Sequence, residues 1–350
     1  MITVIKADCG AGQGGRLLRI LDRALEGTAW EETDAADFCG VRDGRVLFCV
    51  ALSAGGPGEG YRRIMEQLVL HPDCMEGSCG GILVDGPGEL FTKQVGRELA
   101  FFANQAGMDL PGKPMVEATG SLYNFRTQAK LQGVDVEEAY CLSAARLVRR
   151  LEQFRLPGPA GGGKPRILAI HASSRKTSNT LLLWQMIRER IGSRGELEEI
   201  SLRNGTVVDC RGCSFQACLH FGEQADCFYG GVMVEKVYPA ILRADEIMLI
   251  CPNYNDAVSA NINAFFNRLT ALFRKNFEDF SRKRVYGLVV SGYSGGDIVA
   301  EQILDAMCLN KNFPVPGHGI LTETANDPRS ILKCPGIDGR ADRMAARMLK

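Results

Sequence analysis

Charge of a single sign is missing from this chain. Its 41 acidic residues balance 41 basic ones, for a formal net charge of zero, and no Lys/Arg cluster stands apart, which argues against a nucleic-acid partner. No apolar run approaches the roughly 20 residues that cross a bilayer, so no membrane partner is expected. The opening MITVIKADCG has neither the apolar core nor the cleavage site of a secretory signal. The expected compartment is the cytoplasm. No G-x-x-x-x-G-K-[ST] phosphate loop occurs. The loop ADCGAGQGGR (7–16) matches G-x-G-x-x-G only through Gly10, Gly12 and Gly15 and carries no hydroxyl, so it reads as a turn. What the chain has in excess is cysteine. Thirteen of them, an odd number, read in a reducing compartment as thiols, metal ligands or redox groups before disulfides.

With 350 residues and 45% apolar content, two globular domains fit comfortably. In residues 1–156, apolar runs at ITVI, 46–52, 80–86 and 113–120 alternate with helical patterns at 17–25, 61–70, 89–106 and 136–154. That alternation predicts a parallel sheet covered on both faces. His71 and Cys74 read as loop and core residues. PGPAGGGKP (157–165) is nearly all Gly and Pro and marks a linker. Beyond it the pattern repeats, with strands predicted at 166–171, 196–201, 246–251, 285–291 and 315–321. Helices are predicted at 179–192, 232–242, 258–273 and 296–310. The domains are therefore 1–156 and 166–350.

The most informative stretch is PRILAIHASSRKTSNTLLL (165–183). A buried-type strand runs into a small, hydroxyl-rich loop and then a helix whose N-cap is Ser178 or Asn179. Free first-turn amides, a partly positive helix end and hydroxyl donors suit a phosphate. The run Ser173, Arg175, Ser178, Asn179, Thr180 resembles the phosphate loop of the flavodoxin-like, NAD(P)H-dependent FMN reductase family, with His171 and Ala172 standing where that family often has small residues. CPNYNDAVSANINAFFNRL (251–269) is similar to a second segment of that family through Pro252, Tyr254, Ser259 and Arg268. Asn263 and Asn267 replace its frequent Lys and Asp. A third glycine-rich loop, SGYSGGD (291–297), opens onto a helix and lets backbone approach a flat ring.

This resemblance covers about residues 165–310 and implies an α/β fold of two flavodoxin-like, doubly wound parallel-sheet domains in tandem, the N-terminal one lacking a phosphate loop. It implies FMN held by Ser173, Arg175, Thr177, Ser178, Asn179, Thr180, Pro252, Asn253, Tyr254, Asn255, Ser291, Gly292, Tyr293, Gly295 and Gly296. No side chain is assigned as a catalytic acid or base, because the cofactor carries the chemistry.

Between the second strand and the next helix lies DCRGCSFQACLHFGEQADCFYGG (209–231). Cys210, Cys213, Cys218 and Cys227 are spaced C-x2-C-x4-C-x8-C. The arrangement resembles the iron–sulfur flavoproteins, which carry a [4Fe–4S] cluster on a compact cysteine motif in this loop, although the second gap here is two residues longer. His220 is a possible substitute ligand. A [4Fe–4S] cluster, a four-thiolate zinc site and metal-free thiols all stand open.

The implied activity is an FMN-dependent oxidoreductase that passes hydride from NAD(P)H through FMN to a quinone, a flavin or a redox protein. The alternative is an electron carrier that uses FMN, with or without a cluster, and oxidises no nicotinamide. The acceptor would be a small molecule or a redox protein, and the family's active site commonly lies at a homodimer interface.

Overall fold

A computed structural model describes residues 1–10, 14–173, 177–203 and 205–350. They form two compact units, Met1–Leu156 with Pro316–His318, and Pro157–Val315 with Gly319–Lys350.

In the N-terminal unit, five strands make one all-parallel sheet: β1 (Ile2–Ala7), β2 (Trp30–Asp34), β3 (Arg45–Ala51), β4 (Cys79–Asp85) and β5 (Met115–Ala118). Their order is β2-β1-β3-β4-β5, the flavodoxin-like order. β3 and β4 lie inside the sheet and are buried almost throughout, which is why they read as unbroken apolar runs. β2, WEETD, is the polar edge. Without an apolar run it gave no strand signal, and it forms because β1 offers it a parallel ladder from Ile2↔Trp30 to Lys6↔Asp34. Five helices cover the faces: α1 (Gly15–Ala24), α2 (Glu59–Leu70), α3 (Thr92–Gln105), the short α4 (Arg126–Gln132) and α5 (Val136–Gln153). In α1, Leu17, Ile20, Leu21 and Ala24 are buried, the i, i+3, i+4, i+7 stripe of a helix on a sheet.

The C-terminal unit repeats the order: β7-β6-β8-β9-β10, all parallel. The strands are β6 (Arg166–His171), β7 (Glu196–Ser201), β8 (Glu246–Pro252), β9 (Arg284–Ser291) and β10 (Ile320–Thr324). The last begins later than the predicted 315–321. The helices are α6 (Asn179–Ile191), α7 (Phe215–Gly222), α8 (Tyr238–Arg243), α9 (Ala260–Lys275), the single turn α10 (Phe277–Phe280), α11 (Gly296–Leu304) and α12 (Ile337–Met348). Leu183, Trp184, Ile187 and Ile191 of α6 join Ile337, Ala341, Met344 and Met348 of α12 in the core over one sheet face. Two predicted helices contain π-helical turns, Met233–Val237 ahead of α8 and Asp305–Leu309 after α11.

The Gly/Pro segment 157–165 is largely exposed. It is tethered where the Ala160 N–H donates to Asp245 at 3.3 Å. Asp245 also accepts from Arg166 through its backbone N–H at 2.9 Å and its guanidinium at 2.9 and 3.0 Å.

Candidate functional site

In an open parallel sheet, ligands bind beyond the carboxyl ends of the strands, at the point where strand order reverses. In the C-terminal unit that point lies between β6 and β8, which pair from Ile167↔Glu246 to His171↔Ile250. The loops after β6, β8 and β9 leave the sheet there.

The loop after β6 ends at Ser178, the N-cap of α6. Its backbone is extended and its hydroxyl accepts from the Leu181 N–H at 3.4 Å. Ser173 and Thr180 are buried, at 5% and 1% exposure, and Thr177 is exposed. Asn179 turns its side chain the other way. Its amide donates to the Ala325 and Asp327 carbonyls, both at 2.9 Å, so it offers a ligand only its backbone N–H. Arg175 lies outside the described residues, with Ser174 and Lys176. His171, at the end of β6, is 7% exposed. It stands 3.3 Å from Glu199 through Nε2, while its Nδ1 has no partner among the described residues.

The loops after β8 and β9 are built as one object. The Asn253 side chain donates to Ser291 Oγ, the Ser294 carbonyl and Asp256, each at 3.1 Å, and accepts from the Asp256 N–H at 2.8 Å. Asn255 and Asp256 both have positive φ, 53° and 56°, a turn conformation that Asn and Asp tolerate. Gly295 caps α11 with φ 81°, and a Cβ there would lie 2.0 Å from Asp256 Oδ1. The approach that excludes a side chain at Gly295 is therefore that of the neighbouring loop. Gly292 is crowded by Asn326 and Gly296 by Ser291. Pro252 pairs with Val290 at the sheet end. Tyr254 and Tyr293, 50% and 78% exposed, stand on these loops as uncovered aromatic rings.

Gln302 of α11 carries no signal in the sequence. Its carbonyl accepts from the Val258 N–H at 3.1 Å and its amide donates to the Asp256 carbonyl at 2.9 Å, fixing the loop after β8.

Beside this loop is a cavity of about 870 Å³. Cys210, Cys213, Cys218 and Cys227 all line it, together with Ala257 and Gln302. Burial pushes the Cys218 thiol up, Arg274 opposes this, and the other three thiols add to the rise. No three of the four bring sulfur atoms within 4.8 Å of one another. Thiolates about 2.3 Å from one zinc ion would stand closer than that. His220 is exposed and is not on the cavity wall. Cys251 is a different kind of thiol: it is fully buried in β8, and burial pushes it up to about 12, which makes it inert.

Helix α9 supplies one wall through Asn263, Asn267, Thr270 and Ala271, an i, i+4, i+7, i+8 face. Ser259 caps this helix, accepting from the Ile262 N–H at 3.4 Å. The Asn267 amide donates to Asp209 at 3.0 Å. A carboxylate at position 267 would instead face a carboxylate, which accounts for an amide there.

The equivalent place in the N-terminal unit is a cavity of about 490 Å³ whose wall carries an ion pair, Arg16 with Asp85, instead of hydroxyl donors from a phosphate loop. Arg16, in the first turn of α1, binds Asp85 at the end of β4 through two contacts of 2.9 Å. It also donates to the carbonyls of Gly86, Thr119 and Gly120. Gly14, which caps α1, offers no side-chain donor. Gly12 lies outside the described residues.

Residues 165–327 match the family model described as NADPH-dependent FMN reductase. An iron–sulfur flavoprotein of Archaeoglobus fulgidus is 28% identical over 154 residues, 43% of this chain and 75% of that protein. Among solved structures, an NAD(P)H:quinone oxidoreductase from Methanothermobacter marburgensis aligns at 14% identity and TM-score 0.39, covering 52% of this chain and 98% of its own. An FMN-dependent NADH-azoreductase from Bacillus anthracis, in complex with FMN, aligns at 12% identity and TM-score 0.38, covering 53% of this chain and 100% of its own. Among the described residues no helix is long and apolar enough to cross a membrane.

Proposed function

We propose that the C-terminal unit is an FMN-dependent oxidoreductase drawing reducing equivalents from NAD(P)H, and that the four cysteines beside it hold a [4Fe–4S] cluster. The observation that carries the flavin reading is the family match over 165–327, falling on a loop that ends in a capped helix N-terminus. Bound FMN supplies the hydride chemistry, with a quinone, a flavin or a redox protein as acceptor.

The chain's own part is to bind and orient. Ser173, Thr177, Ser178 and Thr180 offer hydroxyls, and the first turn of α6 offers amides, to the phosphate. Arg175 of the same motif belongs to this proposal. Pro252–Asn255 and Ser291–Gly296, locked together by Asn253, form the platform for the ring. Tyr254 and Tyr293 give apolar area to a stacked ring, of flavin or of nicotinamide.

For the cysteines, the fit rests on two features. Four thiols share one cavity, and the other three are near enough to Cys218 to raise its thiol electrostatically. Replacing Cys213 by Ala is expected to remove iron and acid-labile sulfide from anaerobic protein while leaving FMN in place. Iron-free protein after anaerobic reconstitution contradicts the cluster.

A second reading, an electron carrier with no nicotinamide step, is favoured by the wall that the cysteine cavity shares with the flavin loop at Ala257. Stopped-flow mixing separates the two. Flavin bleaching by NADH or NADPH within turnover time is the expected result, and a flavin that dithionite reduces but neither nicotinamide does would leave the carrier.

A further inference from the structure

Arg268 lies in the middle of α9 and is 3% exposed. Burying an ionised group is costly unless something compensates it. The other Lys and Arg side chains buried to this degree among the described residues have carboxylate partners: Lys283 pairs with Asp279 at 3.2 Å and Arg284 with Glu246. Arg268 has none among the described residues. Its guanidinium donates to two backbone carbonyls, Gly230 at 2.7 Å and Val208 at 3.4 Å, and its Nε has no partner.

Those two carbonyls are not arbitrary. Val208 precedes Cys210 and Gly230 follows Cys227, so one side chain grips the cysteine loop at both ends. Arg268 also lines the cavity that the four thiols line. Asp305, the carboxylate on that wall, accepts instead from the Asn310 amide at 3.1 Å. One π-helical turn, Asp305–Leu309, lines the same cavity through Asp305 and Ala306, and a second, Met233–Val237, follows the cysteine loop in sequence. Such turns are frequent at functional sites.

We propose that Arg268 is the fixed counter-cation of the group bound by the four cysteines, and a positioning residue that raises that group's reduction potential. The inference rests on the reading that Cys210, Cys213, Cys218 and Cys227 ligate a [4Fe–4S] cluster. Four thiolates outweigh the positive charge of such a core, so the assembled group is an anion, and reduction makes it more so. A buried cation on the wall favours the reduced form, since net charge, hydrogen bonds and solvent exposure set the potentials of these clusters. It supplies in turn the anion that the guanidinium lacks. With Asn263 standing where a lysine is frequent in the resembling family, Arg268 is the buried cation that α9 brings to this wall, while Arg274 of the same helix acts on Cys218 from the exposed surface and Lys311 also lines the cavity.

The test compares wild type, Arg268→Gln and Arg268→Lys as full-length, anaerobically reconstituted chains. Gln keeps an amide donor and removes the charge, and Lys keeps the charge. FMN content reports folding, iron and sulfide report assembly, and a redox titration followed by electron paramagnetic resonance gives the midpoint. The expected result is R268Q with full FMN and a midpoint more negative than wild type, or with iron and sulfide reduced severalfold, and R268K close to wild type on both counts. If R268Q does not fold, R268K still decides, because a retained cation predicts retained iron and potential. Equal midpoints and iron contents in wild type and R268Q overturn the role given to Arg268, as does an R268K that loses the cluster. Wild type without iron or sulfide overturns instead the cluster reading beneath it, while FMN content stays at the wild-type level.

Discussion

Small polar side chains decide what this site can bind, and each is checkable alone. Ser178 both caps α6 and stands at its N-terminus, so Ser178→Ala should lower the unit's stability by about 1 kcal/mol. Combined with Thr180→Ala, it should weaken FMN binding by about 2–5 kcal/mol, because two hydrogen bonds to a charged phosphate disappear. Equilibrium titration with FMN measures this, and an unchanged dissociation constant would remove the loop from the site. Gly295 makes a separate prediction. With φ 81° and a Cβ position 2.0 Å from Asp256, Gly295→Ala should destabilise by about 1–3 kcal/mol from backbone strain and loosen the platform. Thermal unfolding with and without FMN reads both effects. Ser178 was legible because capping is local chemistry. Asn179 and Gln302 were not, since their partners at Ala325–Asp327 and Asp256–Val258 are set by the fold rather than by neighbours in sequence.

Elements show the same division. β6, with its apolar run, is found as predicted at 166–171. β2 was missed because WEETD, half in solvent, carries no alternation to read. The stripe Ile337, Ala341, Met344, Ala345, Met348 of α12 is a helical pattern in plain view that went unread. The π turn at Asp305–Leu309 cannot be seen in a periodicity it disturbs by a single residue. Among connections, Asp245 ties the 157–165 segment to the first strand of the second sheet. Burial alone would raise its carboxyl, yet hydrogen bonds from Arg166 and Ala160 hold it below the usual range. A carboxyl so lowered stabilises the fold above its unfolded pKa of about 3.9, and that stability is lost as pH falls through the lower folded value. Asp245→Asn should therefore cost about 2 kcal/mol at pH 7, and the difference should shrink in acid. Denaturant titrations at both pH values check the sign, and a cost independent of pH would assign the effect to packing.

At the scale of the molecule, two units share one strand order and differ at the switch point. In one, the switch point opens onto hydroxyls and amides. In the other, an Arg16–Asp85 pair lines it. Asp85 is 8% exposed, so Arg16→Ala should destabilise the N-terminal unit by about 3 kcal/mol, leaving a buried carboxylate without its cation, and should create no second flavin site. A missing hydroxyl was visible in the sequence at 7–16, but the ion pair on the cavity wall was not, because Arg16 and Asp85 are 69 positions apart. The most direct measurement is the flavin released by acid from fully reconstituted, full-length protein, counted per chain. The account predicts about one FMN per chain in wild type and in R16A, and a loss of that FMN in S178A/T180A. A wild-type ratio of about two, or protein that retains no flavin at all, would contradict it.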